Sequence, residues 1–406
     1  MNAVKKNQIT FKIALLSISL LLTTSGSIAS AVTKMQETFS NHSATAVEAL
    51  VTASNITVMI FVLLSAFLVR VLGTKKTVLL GILLAGIGGV VPFFSDNYTL
   101  VYASRLVLGA GLGMFNSLAV SLINEFYSGD TRNKMLGYQA AVQSLGQTLT
   151  TFVAGILVNY NWHYAFAIYF LAAVSFVLFL VYVPDVKPEE EQSASEEKVS
   201  TKQSVNSFVI LQTLVLMLSF VLLMAVSLKA SALVQEHNMA NPGFLGTALS
   251  VQTLVSFLAS FFYGNIVKYT KQFTLAICYI VLGVGHIMLS FATNMAMLTV
   301  VLAVAGAGSA MFLPYSFGII MERAPKNSAN LAVSISMVGT NLGCVLSPYI
   351  LAFIGSTFNN TSASFSLLAC GFIFVLLAVV YLFLSKSLKN DSKDLESMVE
   401  MEEAME

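Results

Sequence analysis

The stretch Arg105-Leu106-Val107-Leu108-Gly109-Ala110-Gly111-Leu112-Gly113-Met114-Phe115 lies inside an apolar run long enough to cross a bilayer, and its reading decides the fold. A second copy stands near the other end of the chain, Gly306-Ala307-Gly308-Ser309-Ala310-Met311-Phe312. Gly109 matches Gly306, Met114 matches Met311, Phe115 matches Phe312 and Glu125 matches Glu322, all at an offset of 197 residues. Half of the 406-residue chain is 203, so the sequence reads as two related halves joined end to end.

Working outward from this repeat, 56% of the residues are hydrophobic and only 10% charged, with a mean hydropathy of +0.80. That leaves too little polar surface for a soluble globule and places the chain in a lipid bilayer. The net charge of +1 comes from Lys and Arg scattered singly between apolar runs, which excludes a nucleic-acid partner. Cys278, Cys344 and Cys370 all fall within apolar runs at no metal-ligand spacing and read as small lipid- or core-facing residues, so no metal is expected.

Apolar stretches of the ~20 residues that cross a hydrocarbon core can be counted along the chain, and there are twelve. Their spans are 11–33, 44–69, 77–94, 100–124, 136–158, 164–183, 207–233, 243–267, 273–293, 296–321, 329–354 and 362–385. Uniformly apolar segments of this length satisfy their own backbone as helices rather than as alternating barrel strands. The expected class is an all-α membrane protein of 12 transmembrane helices in two six-helix pseudo-symmetric bundles. Lys5-Lys6 followed by an apolar run and Ser27-Ile28-Ala29-Ser30-Ala31 looks like a secretory leader. Its run exceeds the ~7–15 residues of a leader core, so it is read as a retained first helix.

Placing the N-terminus in the cytoplasm puts 18 of the 21 Lys and Arg residues on the inner side, leaving Lys34 outside and Arg105 and Lys229 within spans. The positive-inside rule then sets both termini in the cytoplasm, with the chain as a multi-pass protein of the cytoplasmic (inner) membrane. The domains expected are a bundle at 1–183, a cytoplasmic linker at 184–206, a second bundle at 207–386 and an acidic tail at 387–406. The linker changes composition abruptly, from Pro184 and Pro188 into Glu, Ser, Lys and Gln. The tail reads as disordered or as a frayed helix.

Twelve spans, a division into six and six at a charged linker, and parallel repeats resemble the major facilitator superfamily, of the bacterial 12-helix type, over about residues 10–386. Arg105-x-x-x-Gly109-x-Gly111 is similar to that family's fourth-helix motif. The loop after the second span keeps the turn glycine, Gly73, and the trailing Lys75 and Lys76, but Arg70 stands where the family has Asp. Lys268 takes the corresponding place in the second half. The fifth-helix Gly-Pro motif of many exporters is not matched, since Gly146-Gln147-Thr148-Leu149-Thr150 has no proline. The resemblance implies a secondary transporter working by alternating access and not an enzyme, with Arg70, Gly73, Lys75 and Lys268 in its gating loops.

Polar residues inside the spans are the candidates for solute contact, because a charge at that depth costs a few kcal/mol and needs a partner or a cavity. Arg105 has two readings of equal standing: it lines the central route, or it is bonded to backbone carbonyls that fix the fourth span. Asn116 returns to a similar face three turns on. Gln139, Gln143 and Gln147 recur at i, i+4 and i+8 and form one stripe of the fifth span. Gln252, Ser256 and Ser260 form another on the eighth, and Asn341 marks the eleventh. Lys229, in the outer third of the seventh span, is either a cavity cation or snorkels to the surface. His286 reads as a structural histidine, Pro314 as a kink, and Asn161-Trp162-His163 as an outer interfacial anchor.

Glu48 is the one acid well inside a span and away from the cytoplasmic end, which makes it the expected proton site; the competing reading is a solvated acid at a helix start. No phosphate-binding loop, catalytic triad or cofactor motif is present, which argues against primary pumping, catalysis or a cofactor. Two embedded cations disfavour a cationic cargo. The expectation is therefore a monomeric carrier of a small neutral or anionic solute, proton-linked and working in efflux. Organic-anion uptake through Arg105 and Lys229 is the first alternative, and a non-transporting receptor of the same fold is the second.

Overall fold

The computed structural model describes residues 9–185, 204–240, 242–325 and 328–403. Among them ten helices are long and apolar enough to cross a membrane. The bent pair Ile9–Leu20 and Thr24–Thr38 makes an eleventh crossing, and the shorter apolar helix Leu245–Ser260 makes the twelfth. In chain order they are α1 (that bent pair), α2 (Ala44–Leu72), α3 (Thr74–Phe93), α4 (Tyr98–Phe126), α5 (Gly129–Val158) and α6 (Trp162–Tyr182). Then follow α7 (Ser207–Glu236), α8 (Leu245–Ser260), α9 (Thr274–Ser290), α10 (Met295–Arg323), α11 (Ala329–Thr357) and α12 (Ala363–Glu403). Twelve crossings bring the start of α1, the end of α6, the start of α7 and the end of α12 to one face, called here the termini face; the other is the far face.

The two sets of six helices pack alike. In the first set α2 and α3 pack on α4, α3 packs on α6, and α1 on α5; in the second α8 and α9 pack on α10, α9 on α12, and α7 on α11. Glycines carry these contacts. A Cβ on Gly109 would sit 2.0 Å from the Ser54 carbonyl oxygen of α2, and one on Gly306 would sit 2.5 Å from the Gln252 carbonyl oxygen of α8. Gly146 of α5 likewise faces the backbone of Leu20, and Gly343 of α11 that of Met217. Gly109 and Gly306, Gly146 and Gly343, and Leu20 and Met217 keep the offset of 197 residues, and Ser54 and Gln252 stand one residue off it, so the repeat legible in the sequence is a repeat of backbone crossings. The sets meet each other along α1–α7, α2–α11 and α5–α8.

Four features differ from the sequence reading. The bend falls in α1, by 44°, where Thr23-Thr24-Ser25-Gly26 offers poor helix formers and hydroxyls that bond their own backbone. By contrast α10 and α11 run on through Pro314 and Pro348. Trp162 is buried rather than interfacial, packing on Phe39 and donating from Nε1 to Thr38 Oγ1 at 2.9 Å. The eighth span is short, and a separate helix, Tyr263–Thr270, carries Lys268. The acidic tail, for which the sequence left disorder or a frayed helix open, continues α12 as helix to Glu403 and is no such difference. Residues 186–203 of the linker lie outside the described residues.

Gly109→Val is expected to lower the unfolding temperature in detergent, because a side chain driven against the Ser54 carbonyl costs about 1–3 kcal/mol of overpacking or more. Gly137, whose added Cβ meets nothing within 4 Å, is the control: Gly137→Ala leaves the melting curve unchanged or raised.

Candidate functional site

Arg105 is fully buried, and its guanidinium is held by the protein. Nε donates to the Leu50 carbonyl at 3.0 Å, Nη2 to the Ser25 carbonyl at 2.6 Å and Nη1 to the Tyr169 hydroxyl at 2.8 Å. Tyr169 passes its own proton to the Thr24 carbonyl at 3.0 Å. Ser25 and Thr24 lie in the bend of α1, and Leu50 lies just before a turn at Ala53 that interrupts α2. Arg105 and Tyr169 therefore satisfy carbonyls near two interrupted helices at a depth where water cannot. Of the two readings of Arg105 from the sequence, the geometry is that of the backbone-bonded one.

Glu48 and Lys229 meet. Lys229 Nζ lies 2.6 Å from Glu48 Oε1, with the side chains 13% and 2% exposed, so a carboxylate of α2 and an ammonium of α7 form a buried ion pair across the two sets of helices. The neighbouring oxygen, Glu48 Oε2, is buried without a hydrogen bond among the described residues. Toward the far face the seal continues through Thr33 with Ser231, Gln235 with Glu37 and Asn159 Nδ2 with the Gly243 carbonyl. Gly155 of α5 and Gly246 of α8 are in backbone contact, whereas Gly137 and Gly264, near the termini face, both look onto open space. The far side is closed.

Beneath this seal lies a cavity of about 260 Å³ between the two sets, lined by α1, α5, α7, α8 and α10. Gly26 and Ala29 of the interrupted α1, Gln147 and Thr151 of α5, Ser227 of α7 and Gln252 of α8 are among its walls. It sits near the middle of the long helices α5, α7 and α10, the depth at which carriers of this build hold their solutes. Two of the eight solute-contact residues expected from sequence, Gln147 and Gln252, line it.

The other candidates lie elsewhere. Gln139 is buried and donates to Gln143 Oε1 at 3.1 Å. Asn341 Nδ2 donates to the Met337 carbonyl of its own helix at 2.9 Å, and Asn116 is half-buried in α4, outside the cavity walls. In the loops, Gly73 ends α2 at φ +84°, a conformation that favours glycine, and Lys75 Nζ caps the end of α6 at the Leu180 carbonyl, 2.8 Å away. Arg70 and Lys268 are exposed. Sequence reasoning missed Ser227, Thr151, Thr253 and Ser309 as wall residues; small hydroxyl side chains bond their own helix as readily as a solute, so they carry no signal by spacing.

The family model of the Major Facilitator Superfamily matches residues 14–233 and 213–400, so the chain belongs to that superfamily. That superfamily is one of transporters and not of enzymes. The chain is similar to the arabinose-proton symporter of Escherichia coli (strain K12), 27% identical over 116 residues, 28% of this chain and 24% of that protein. It is similar to the bacillibactin exporter of Bacillus subtilis (strain 168), 25% identical over 161 residues, 38% of this chain and 40% of that one. The matched stretch thus spans under half the length of either relative. Among solved structures, the nucleoside transporter NupG superposes with a TM-score of 0.74 at 12% identity over 93% of this chain and 99% of that one. The inward-open xylose transporter XylE of E. coli gives 0.71 at 15% over 91% and 94%. These likenesses show the fold.

Arg105→Ala is expected to destabilise the protein rather than only to weaken solute binding, since each buried carbonyl or hydroxyl left without its donor costs about 1–3 kcal/mol. Arg105→Lys recovers part of this, lacking the fork that reaches both carbonyls. Unfolding temperatures of the two variants in detergent check it.

Proposed function

We propose that this chain is a proton-linked exporter that carries a small organic solute out across the cytoplasmic membrane by alternating access, acting as a monomer with both termini in the cytoplasm. The observation that carries the reading is the buried Glu48–Lys229 pair joining α2 to α7. Two opposite charges in a low-dielectric setting hold the far side shut. A proton on Glu48 cancels that attraction and leaves an uncompensated ammonium, which favours parting of the helices; loss of the proton restores the pair. Proton movement is thereby tied to which face is open, as carriers of this family require.

Both named relatives are consistent with solute transport, and the match to the exporter covers more of each chain than the match to the symporter. Export is preferred on that ground. The anion-uptake reading loses its carriers, because Arg105 is consumed by backbone carbonyls and Lys229 by Glu48. The receptor reading differs from both in producing no flux.

In proteoliposomes with an imposed pH gradient and a panel of anionic, neutral and cationic radiolabelled solutes, at least one solute should move against its own gradient. Glu48→Gln should lower this pH-driven flux about tenfold, within the usual span of coupling free energies, while leaving solute exchange without a gradient in place. Gradient-driven flux that survives Glu48→Gln removes Glu48 as the coupling site.

A further inference from the structure

We infer that the midplane cavity is built for an uncharged, donor-rich solute of the polyol class; this rests on the transport reading above and names its cargo. No Asp, Glu, Lys, Arg or His is among the described residues lining the cavity. The nearest candidates for a counter-charge are committed, Glu48 and Lys229 to each other and Arg105 to the bend of α1. A charged solute brought to this depth would find nothing to balance it, and desolvating an unpaired ion outweighs what neutral contacts return.

The wall also has a donor and acceptor sense. A hydroxyl has one hydrogen, and Ser256, Ser309 and Thr253 direct theirs at protein carbonyls: Ser256 at Gly306 (2.7 Å) or Gln252 (2.9 Å), Ser309 at Gly306 (2.8 Å), Thr253 at Ser250 (2.9 Å). What Ser256 and Ser309 keep for the cavity is lone pairs, while Thr253 also shares a hydrogen bond with the Thr148 hydroxyl, 2.9 Å away. The amides of Gln147 and Gln252, from facing sets of helices, make no hydrogen bond among the described residues and line the same space. A solute that donates to Ser256 and Ser309, and that both gives to and takes from the two amides and the hydroxyls of Ser144 and Ser227, fits this wall. Many hydroxyls on one small frame do this without charge, whereas amines that donate as well carry charge at neutral pH.

Size and surface agree. About 260 Å³ lies below the roughly 300–1,000 Å³ of clefts that hold drug-sized ligands. Phe220, Leu223 and Met224 supply one apolar wall, suited to the C–H face of a compact polyol and too small for a large lipophilic drug.

The test uses the purified full chain with xylitol, myo-inositol and D-glucose as neutral probes, and benzoate and tetraphenylphosphonium as charged ones. Binding is read as a rise in unfolding temperature, and exchange is read in proteoliposomes. At least one neutral probe should bind and exchange, with both charged probes inert. Gln147→Leu and Gln252→Leu should each weaken polyol binding about tenfold or more, as happens when a site built for hydrogen bonds loses one partner. Both variants must first melt as the parent does without solute; Gln147→Asn and Gln252→Asn, which keep the amide, replace any that do not. Preference for benzoate or tetraphenylphosphonium overturns the inference and leaves the transport reading standing. Polyol binding without exchange does the reverse. Failure of all three neutral probes to bind, or leucine variants within about twofold of the parent, also overturns the inference.

Discussion

Backbone carbonyls released inside a bilayer must find a donor, and in this protein Arg105 is that donor for two helices at once. The consequences run outward from it. Interrupting α1 at Thr23–Gly26 brings Gly26 and Ala29 to the cavity wall, and the interruption of α2 at Ala53 stands five residues beyond Glu48. The guanidinium and Tyr169 hold both breaks in one arrangement, so the residues that line the solute site and those that seal it share one anchor. A buried cation that reads as a binding group in the sequence is here the reason the site has a shape.

The second half makes the same point by contrast. Leu302 stands 197 residues after Arg105, and α7, the counterpart of α1, runs unbroken from Ser207 to Glu236. With no carbonyls released inside α7, no embedded donor is needed beside it. The ion pair is equally one-sided: Leu245 stands at the place corresponding to Glu48, and Val32 at that corresponding to Lys229. Repeated glycine crossings set the scaffold twice, and the polar chemistry is laid on it once.

This division explains what could be read from residues alone. Twelve crossings and the halving at an offset of 197 are properties of apolar length and of glycines forced by close backbone approach, and both are local in sequence. Gln147 and Gln252 were legible as stripe residues, but a stripe gives a face and not a depth. Gln139 and Gln143 share the face of Gln147 and end bonded to each other, one and two turns nearer the termini face. The pairing of Glu48 with Lys229 spans 181 residues and two helices that no periodicity links, so each was seen singly and its partner was not. Trp162 was misplaced because an indole beside Asn161 and His163 has the composition of an interfacial belt, while the end of α1 supplies Thr38 as a buried acceptor.

The central claim is that the Glu48–Lys229 pair keeps the far side shut between the two sets of helices. The most direct measurement is the distance between spin labels on exposed far-face loops, at Asn41→Cys between α1 and α2 and Thr361→Cys between α11 and α12. The parent should give a short, narrow distribution. Glu48→Gln should shift population to longer distances, and the exchange Glu48→Lys with Lys229→Glu should return it, because the attraction is restored with its ends reversed. A distribution unchanged by Glu48→Gln, or one lengthened and not restored by the exchange, contradicts the claim.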